Sequence, residues 1–476
     1  MNTFANLRFY NSKTRSKEIF IPRDEKVTFY SCGQTVYDSI HVGNAKTYLV
    51  WDLLVRFLRF MGHDVRHVQN FTDVGHLTDD ADQGEDKIAR RAKLQKLEPM
   101  ELVDTMITEY YRDMDRLNVL RPNIAPRATG HISEMESFVI ALLDRGFAYE
   151  SDGSVYFNTS KFPRYGEMAG LNLDGQKAGA RIGLNAAKRH PSDFALWIRA
   201  PPEHLMKYSS PLLSIGYPGW HLECSVMSMK YLGDTLDIHA GGEDHIPVHH
   251  TNEIAQSESY TGKEFSRFWL HSAFITVKGQ KMGKSLGNFI LLSQLLEEVG
   301  GPVSRMVLMG IHYRTHGDFS WEQVRAMESR YRRMLMSIQD AQRRAGYFER
   351  EPLDFGRKLD LSPVVFDPIM DEFVEYLSDD LNTPGAFKVL FRAVDKLDST
   401  VDDLLLRTVD VMLSVLGIDL PFLTEEETEE ISHLLKIREE FRKNRQWNES
   451  DFIREYLQER GYLVEDGSGW YRVSLR

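Results

Sequence analysis

Four side chains of this 476-residue chain stand out by type and spacing: Cys32, Cys224, His249 and Glu253. Cys224 is followed after 24 intervening residues by His249, and His249 by Glu253 with three between, so on a helix the last two share a face. Two thiolates, an imidazole and a carboxylate could make a tetrahedral zinc site if the fold brings Cys32 to the other three. A purely architectural zinc, or none, is the alternative, since histidine and glutamate at helical spacing are commonplace. By count alone, the two cysteines read as unrelated buried thiols of a reducing compartment, without the spacing of a disulfide framework.

Two other segments suit phosphate chemistry. "HVGN", His41 to Asn44, stands at the mouth of a helix, where unpaired backbone N–H groups and the helix dipole favour anions. From a helical first turn His41 and Asn44 can both point at one triphosphate, while Gly43 lets an adenine ring lie close to the backbone. A helix cap is the simpler role for His41. "KMGKS", Lys281 to Ser285, is a loop whose lysines, Lys281 and Lys284, can swing over a triphosphate and stabilise charge building at its α-phosphorus. Taken alone, it could equally be a solvated loop.

The elements that must position these groups follow from hydrophobic periodicity. "KVTFYSC" (26–32) predicts a strand, "AKTYLVWDLLVRFLRFMG" a helix and "HDVRHVQNF" a second strand, the βαβ opening of a nucleotide-binding parallel sheet. Cys32 then ends the first strand, where ligand groups collect in such sheets. Spacing is helical over about 97–147, and 148–205 mixes short strands and Pro/Gly-rich turns, as an insertion between halves of the sheet would. "GWHLECSVMSMKYLG" (helix), "TLDIHAGG" (strand and turn) and "HHTNEIAQSESYTG" (helix) supply the second half. Helices are expected through about 346 and again over 364–418, and the last fifty residues form a small charged unit ending in a strand pair.

With 42% hydrophobic and 27% charged residues, the chain reads as a soluble enzyme of several domains. A formal charge of −12 argues against nonspecific coating of nucleic acid, although "KIREEFRKNRQW" offers a local basic face. No apolar run suggests a signal peptide or a membrane span, so neither export nor anchoring is expected.

"HVGN" and "KMGKS" together resemble the "HIGH" and "KMSKS" signatures of class I aminoacyl-tRNA synthetases. "SCGQTVYD", "GWHLECSVMS", "DIHAGG" and "HHTNEIAQSE" look like the blocks of the cysteinyl-tRNA synthetase family, in the family's order. The resemblance implies an α/β fold: a Rossmann-type parallel sheet with an inserted connective domain, a helical bundle and a small C-terminal mixed α/β unit. The implied division is 1–118 and 206–276 for the catalytic halves, 119–205 for the insertion, 277–350 for the "KMSKS" loop and stem-contact region, 351–422 for the bundle and 423–476 for the anticodon-binding unit.

By the same resemblance the chain activates L-cysteine with ATP and transfers it to tRNA-Cys as a cytoplasmic monomer. One zinc per chain, held by Cys32, Cys224, His249 and Glu253, would select the thiol, and magnesium would accompany ATP. Gly33, Thr35, Thr72, Trp220 and His239 would line the cysteine pocket. His41, Gly43, Asn44, Gly241, Gly242, Asp244, Lys281, Lys284 and Ser285 would hold ATP, with His41, Asn44, Lys281 and Lys284 catalytic. Arg442, Trp447, Asp451, Arg454, Asp466 and Trp470 would meet the anticodon by stacking or hydrogen bonding.

Some residues depart from the family pattern. Asn44 replaces the last histidine of "HIGH", Gly283 the serine of "KMSKS" and Ala240 a third glycine, while Glu243 and His245 flank Asp244 in place of apolar residues. The acidic segment 75–86 is longer than usual. The rival expectations are a ligase passing cysteine to a small amino-sugar acceptor, as in mycothiol synthesis, and a noncatalytic RNA-binding paralogue.

Overall fold

The computed structural model describes residues 6–77, 84–171, 186–283, 287–347, 353–356, 359, 364, 366–400, 402–421, 423–466 and 471–475. The chain opens with a hairpin, β1 (Arg8–Asn11) and β2 (Ser16–Ile19), followed by β3 (Lys26–Thr35), α1 (Val42–Phe60) and β4 (Asp64–Thr72). Helix α1 is buried along nearly its whole length, so the polar residues it carries must find partners inside. Lys46 donates to the carbonyls of Ala273 and Thr315, and Arg59 to that of Val65.

Next come α2 (Lys87–Gln95), capped by the Asp86 carboxylate, and α3 (Pro99–Arg116), whose proline occupies the first helical position. Helix α4 (Ile132–Asp144) leads into an antiparallel sheet of β5 (Ala148–Ser151), β6 (Ser154–Phe157), β7 (Phe194–Arg199) and β8 (Gly216–Pro218), in that spatial order. This sheet lies in sequence between β4 and the second half, and its β8 falls beyond the 119–205 expected for the insertion. The second half comprises α5 (Trp220–Leu232), β9 (Leu236–Gly242), a 3₁₀ turn (Glu243–His245), a π-helical turn (Ile246–His250), α6 (Thr251–Thr261) and β10 (Ser266–Ser272).

The central sheet has the order β10-β9-β3-β4, and all three pairings are parallel. Chain winding runs from β3 through α1 to β4 on one side and from β9 through α6 to β10 on the other. The direction therefore reverses between β3 and β9, and the crevice at their carboxyl ends is where ligands bind in such sheets. Register against β4 shifts between Ser31 and Gln34, so Cys32 and Gly33 occupy an irregular step. Pairing then resumes at Gln34 and Thr35, which is why β3 runs past the 26–32 expected from its alternation.

Beyond the sheet lie β11 (Ile275–Val277), β12 (Gln280–Lys281), α7 (Leu292–Met309), β13 (Gly317–Phe319) and the long α8 (Trp321–Ala345). Three helices, α9 (Pro368–Ser378), α10 (Thr383–Leu397) and α11 (Asp403–Leu416), complete the bundle. Finally α12 (Glu425–Lys443), α13 (Trp447–Glu459) and the hairpin β14 (Tyr462–Asp466) with β15 (Tyr471–Leu475) enclose a small core of their own, including Ile431, Leu435, Ile453 and Leu457. Two buried glutamines of α8 tie this unit on: Gln342 donates to the Leu423 carbonyl at 2.8 Å, and Gln339 accepts from the Leu475 N–H at 2.8 Å. Among the described residues no helix is long and apolar enough to cross a membrane.

Candidate active site and metal centre

Cys32 arrives from the irregular step in β3, Cys224 from the first turns of α5, and His249 and Glu253 from the junction of the π-helical turn with α6. Their donor atoms all lie within 4.8 Å of one another, and all four residues are buried. The two Sγ atoms are 4.0 Å apart, far beyond a disulfide bond. That separation is close to the roughly 3.8 Å expected for two thiolates on one tetrahedral zinc with Zn–S bonds of about 2.3 Å.

His249 Nε2 stands 3.0 Å from Glu253 Oε1, yet this oxygen has no aligned hydrogen-bond donor. That separation fits an imidazolium–carboxylate pair, and the same two atoms could instead turn lone pairs on one cation. Outer contacts orient them: His239 Nε2 lies 2.7 Å from Glu253 Oε2, and His221 Nδ1 lies 3.0 Å from His249 Nδ1. Burial pushes the Cys224 thiol up, but the hydrogen bond with Cys32 and the nearby His249 imidazole outweigh it and bring it down to about 6. Burial likewise raises Glu253, while His239 and His249 hold its carboxyl at about 2. Cys224 and Glu253 are thus favoured in the ionised form, whereas burial and the neighbouring Cys224 push the Cys32 thiol up, and Glu253 with Cys224 outweighs burial to bring His249 up to about 10. The cluster could hold a metal that displaces those two protons.

The expected cysteine-pocket residues surround this centre. Gly33 N–H donates to Asn70 Oδ1 at 2.9 Å, and a Cβ on Gly33 would lie 1.6 Å from the Asn70 carbonyl oxygen, so no side chain fits there. Thr35 Oγ1 is 2.9 Å from His76 Nδ1, and Thr72 Oγ1 accepts from Asn70 Nδ2. Trp220 lies face to face with His76 at 4.2 Å and leans on His249 at 4.4 Å. His239 is committed to Glu253.

At the "HVGN" corner the structure shows the cap role. His41 caps α1, its Nδ1 accepting from the N–H groups of Gly43 and Asn44, while Asn44 Oδ1 turns back toward the His41 N–H at 3.5 Å. The cap uses Nδ1 and leaves Nε2 for a ligand. Burial lowers this imidazole to about 4, so it is neutral at physiological pH. Backbone bonds from Val42 to Ile290 and from Leu292 to Ile40 join this corner to the chain following "KMGKS". A Cβ on Gly43 would touch both the His41 ring and Met282.

Lys281 lies 3.8 Å from Asp244, both side chains being exposed. Gly241 and Gly242 end β9 beside them. Lys284 and Ser285 fall outside the described residues.

In the C-terminal unit, Asp466 accepts two hydrogen bonds from the buried Arg438, at 2.6 and 2.7 Å, and pairs with Arg442 at 2.9 Å and Arg454 at 3.9 Å. Asp466 thus gathers the arginines expected to meet RNA. Trp447 is 56% exposed at the start of α13, and Asp451 is exposed one turn on. Trp470 lies outside the described residues.

Residues 19–329 match the model for tRNA synthetases class I (C) catalytic domain, 372–420 the DALR domain, and 424–472 the cysteinyl-tRNA ligase anticodon binding domain. The cysteine–tRNA ligase of Chlorobaculum tepidum is 42% identical over 495 residues, covering 98% of this chain and 99% of its own. That of Thermus thermophilus is 42% identical, covering 97% of each. This chain belongs to the cysteine–tRNA ligase family. A methionyl-tRNA synthetase of Mycobacterium tuberculosis in complex with methionyl-adenylate superposes with a TM-score of 0.58 at 15% identity, covering 86% of this chain and 94% of that one. This shows that the family's class I fold is shared.

In this member of the family, sequence reasoning missed a set of buried imidazoles around the metal centre. His250 Nε2 stands 3.2 Å from Cys32 Sγ, and its Nδ1 is 2.7 Å from His271 Nε2, whose other nitrogen is 2.8 Å from Ser12 Oγ. The buried His221 and the half-exposed His245 stand beside them. The one available signal was the crowding of histidines in "DIHAGGEDHIPVHH".

Proposed function

We propose that this chain is an ATP-dependent ligase that activates L-cysteine as cysteinyl-adenylate and transfers it to the 3′ end of tRNA-Cys, with zinc selecting the thiol. The convergence of Cys32, Cys224, His249 and Glu253 at the reversal point of the sheet carries this assignment. Zinc held by these four residues would supply a soft centre that a substrate thiolate could join and a serine hydroxyl could not. Such a missing ligand is penalised far more than the roughly 1–3 kcal/mol available from one methylene.

Gly33 keeps the backbone low beside Cys32, and Trp220 with His76 walls the cysteine side chain off from water. The substrate carboxylate then faces the His41 corner, where it attacks the α-phosphorus of ATP and pyrophosphate leaves. His41 Nε2 and the α1 N-terminus hold the phosphates, Asp244 accepts from ribose hydroxyls, and Lys281 with Lys284 balances charge as it develops. Magnesium bound with ATP would neutralise the departing pyrophosphate. No side chain need become covalently attached, because positioning and electrostatics suffice. Arg442, Arg454, Trp447 and Asp451 supply a face suited to unpaired bases, with Asp466 organising the arginines. We take the working form to be a cytoplasmic monomer.

The test is charging of unfractionated tRNA with cysteine and with serine, before and after zinc removal. Cysteine charging should fall to background on chelation and return with added zinc, and serine should be charged at least about a thousandfold less efficiently. Cysteine charging that survives complete removal of zinc would overturn the assignment.

Because His41 both caps and contacts, its two roles separate by substitution. His41→Ala should cost about 1 kcal/mol of stability and at least about a hundredfold in cysteine-dependent pyrophosphate exchange. His41→Asn should restore the cap, and with it the unfolding midpoint, without restoring exchange. Recovery of both by asparagine would mean that the imidazole makes no phosphate contact.

A further inference from the structure

His245 lies half-exposed in the 3₁₀ turn after β9, yet its Nδ1 is buried and has no hydrogen-bond partner. A Cβ built on Gly241 would sit 2.7 Å from that nitrogen and 3.0 Å from His250 Nε2. The two nitrogens therefore converge on a space that exists only because residue 241 has no side chain. His250 Nε2 is itself 3.2 Å from Cys32 Sγ. Cys32, His245, His249 and His250 accordingly form a second donor set within 4.8 Å, sharing Cys32 and His249 with the set described above.

We propose that His245 is an exchangeable ligand, closing the substrate-facing side of the metal centre until the cysteine thiolate displaces it. This rests on the zinc assignment proposed above. His245 lies within 4.8 Å of Cys32 and His249, two of the four donors of the first set, so a small shift of its half-exposed ring would bring it to a metal those two hold. His250 is an unsuitable leaving ligand, being fully buried and held through His271 to Ser12. His245 has no such anchor. Among the described residues its ring lies edge-on to Trp220 at 5.9 Å and about 5 Å from the neighbouring imidazoles. The π-helical turn between His245 and α6 sets the geometry, since its wider winding stacks residues five apart and brings His245 over His250.

In the exchange the metal–nitrogen bond to His245 breaks, a metal–sulfur bond forms, the thiol proton leaves to solvent, and no electron changes hands. Two consequences follow for the protein without cysteine: the metal is held by an additional donor, and stray thiols meet a closed face.

The test uses full-length protein loaded with cobalt(II) in place of zinc, read by visible absorption, together with zinc affinity by chelator competition. His245→Phe should strengthen the d–d bands of the substrate-free protein, as coordination falls from five to four, and weaken its hold on zinc about tenfold. With saturating cysteine, wild type and variant should give the same spectrum, with added sulfur-to-cobalt charge transfer. His245→Gln, which retains a polar side chain, should behave like His245→Phe. Identical substrate-free spectra and zinc affinities for wild type and both variants would overturn the role of His245. Absence of any added charge transfer in wild type on cysteine binding would instead overturn the zinc assignment beneath it.

Discussion

Cys224→Ser is expected to lower kcat/KM for cysteine in pyrophosphate exchange by at least about a thousandfold, while ATP affinity changes by less than about twofold. Cys224 is buried on α5, with its sulfur 4.0 Å from that of Cys32. A serine there keeps the helix and nearly the same volume but replaces a soft thiolate with a hard, protonated hydroxyl, which weakens zinc binding severely. The nucleotide corner is built from other elements, namely the cap of α1, the end of β9 and the segment around Lys281, so it should survive. Zinc content by elemental analysis, exchange with cysteine and direct nucleotide titration would give the three readings. Near-normal cysteine activation by a zinc-depleted Cys224→Ser protein would show that the centre is structural and that selection of the amino acid lies elsewhere.

The second large effect concerns stability. Asp52, buried in α1, accepts from Arg56 Nε at 2.9 Å and the Leu120 N–H at 2.8 Å, and pairs with the buried Arg305. Arg305 also donates to the carbonyls of Leu117, at 3.0 Å, and Leu416. One guanidinium thereby joins α1 of the catalytic sheet, the end of α3 and the end of α11 in the bundle. Asp52→Asn leaves Arg305 and Arg56 buried without their counter-charge, and should cost about 3–5 kcal/mol.

Burial alone would raise the Asp52 carboxyl, but Arg305 and Arg56 outweigh it and hold its pKa below the usual range. Its contribution is therefore complete above the unfolded carboxylate value of about 3.9 and lost as pH falls through the lower folded value. Denaturant unfolding followed by tryptophan fluorescence should show a wide gap between wild type and Asp52→Asn at pH 7, narrowing under strong acid. A gap below about 1 kcal/mol at pH 7 would mean that the network is energetically neutral.

Much of this protein is legible in its sequence. Apolar periodicity placed β3, α1, β4, α5, β9 and α6, because such elements are encoded by side chains within a few residues of one another. The four-residue spacing of His249 and Glu253 likewise put them on one face. The blocks around Cys32, Cys224 and the two phosphate motifs pointed to the family.

Tertiary structure decided what depends on contacts between distant segments. The register step that turns Cys32 toward Cys224 exists only through the pairing of β3 with β4. The imidazoles of His245, His250 and His271 meet because a π-helical turn follows a parallel strand, and nothing in local spacing signals that turn. Asp466 was expected among the base contacts, and only the fold shows that it is surrounded by Arg438, Arg442 and Arg454. Periodicity records which face of an element is apolar, but the partner that each polar group meets is set by the register and packing of chains far apart in sequence.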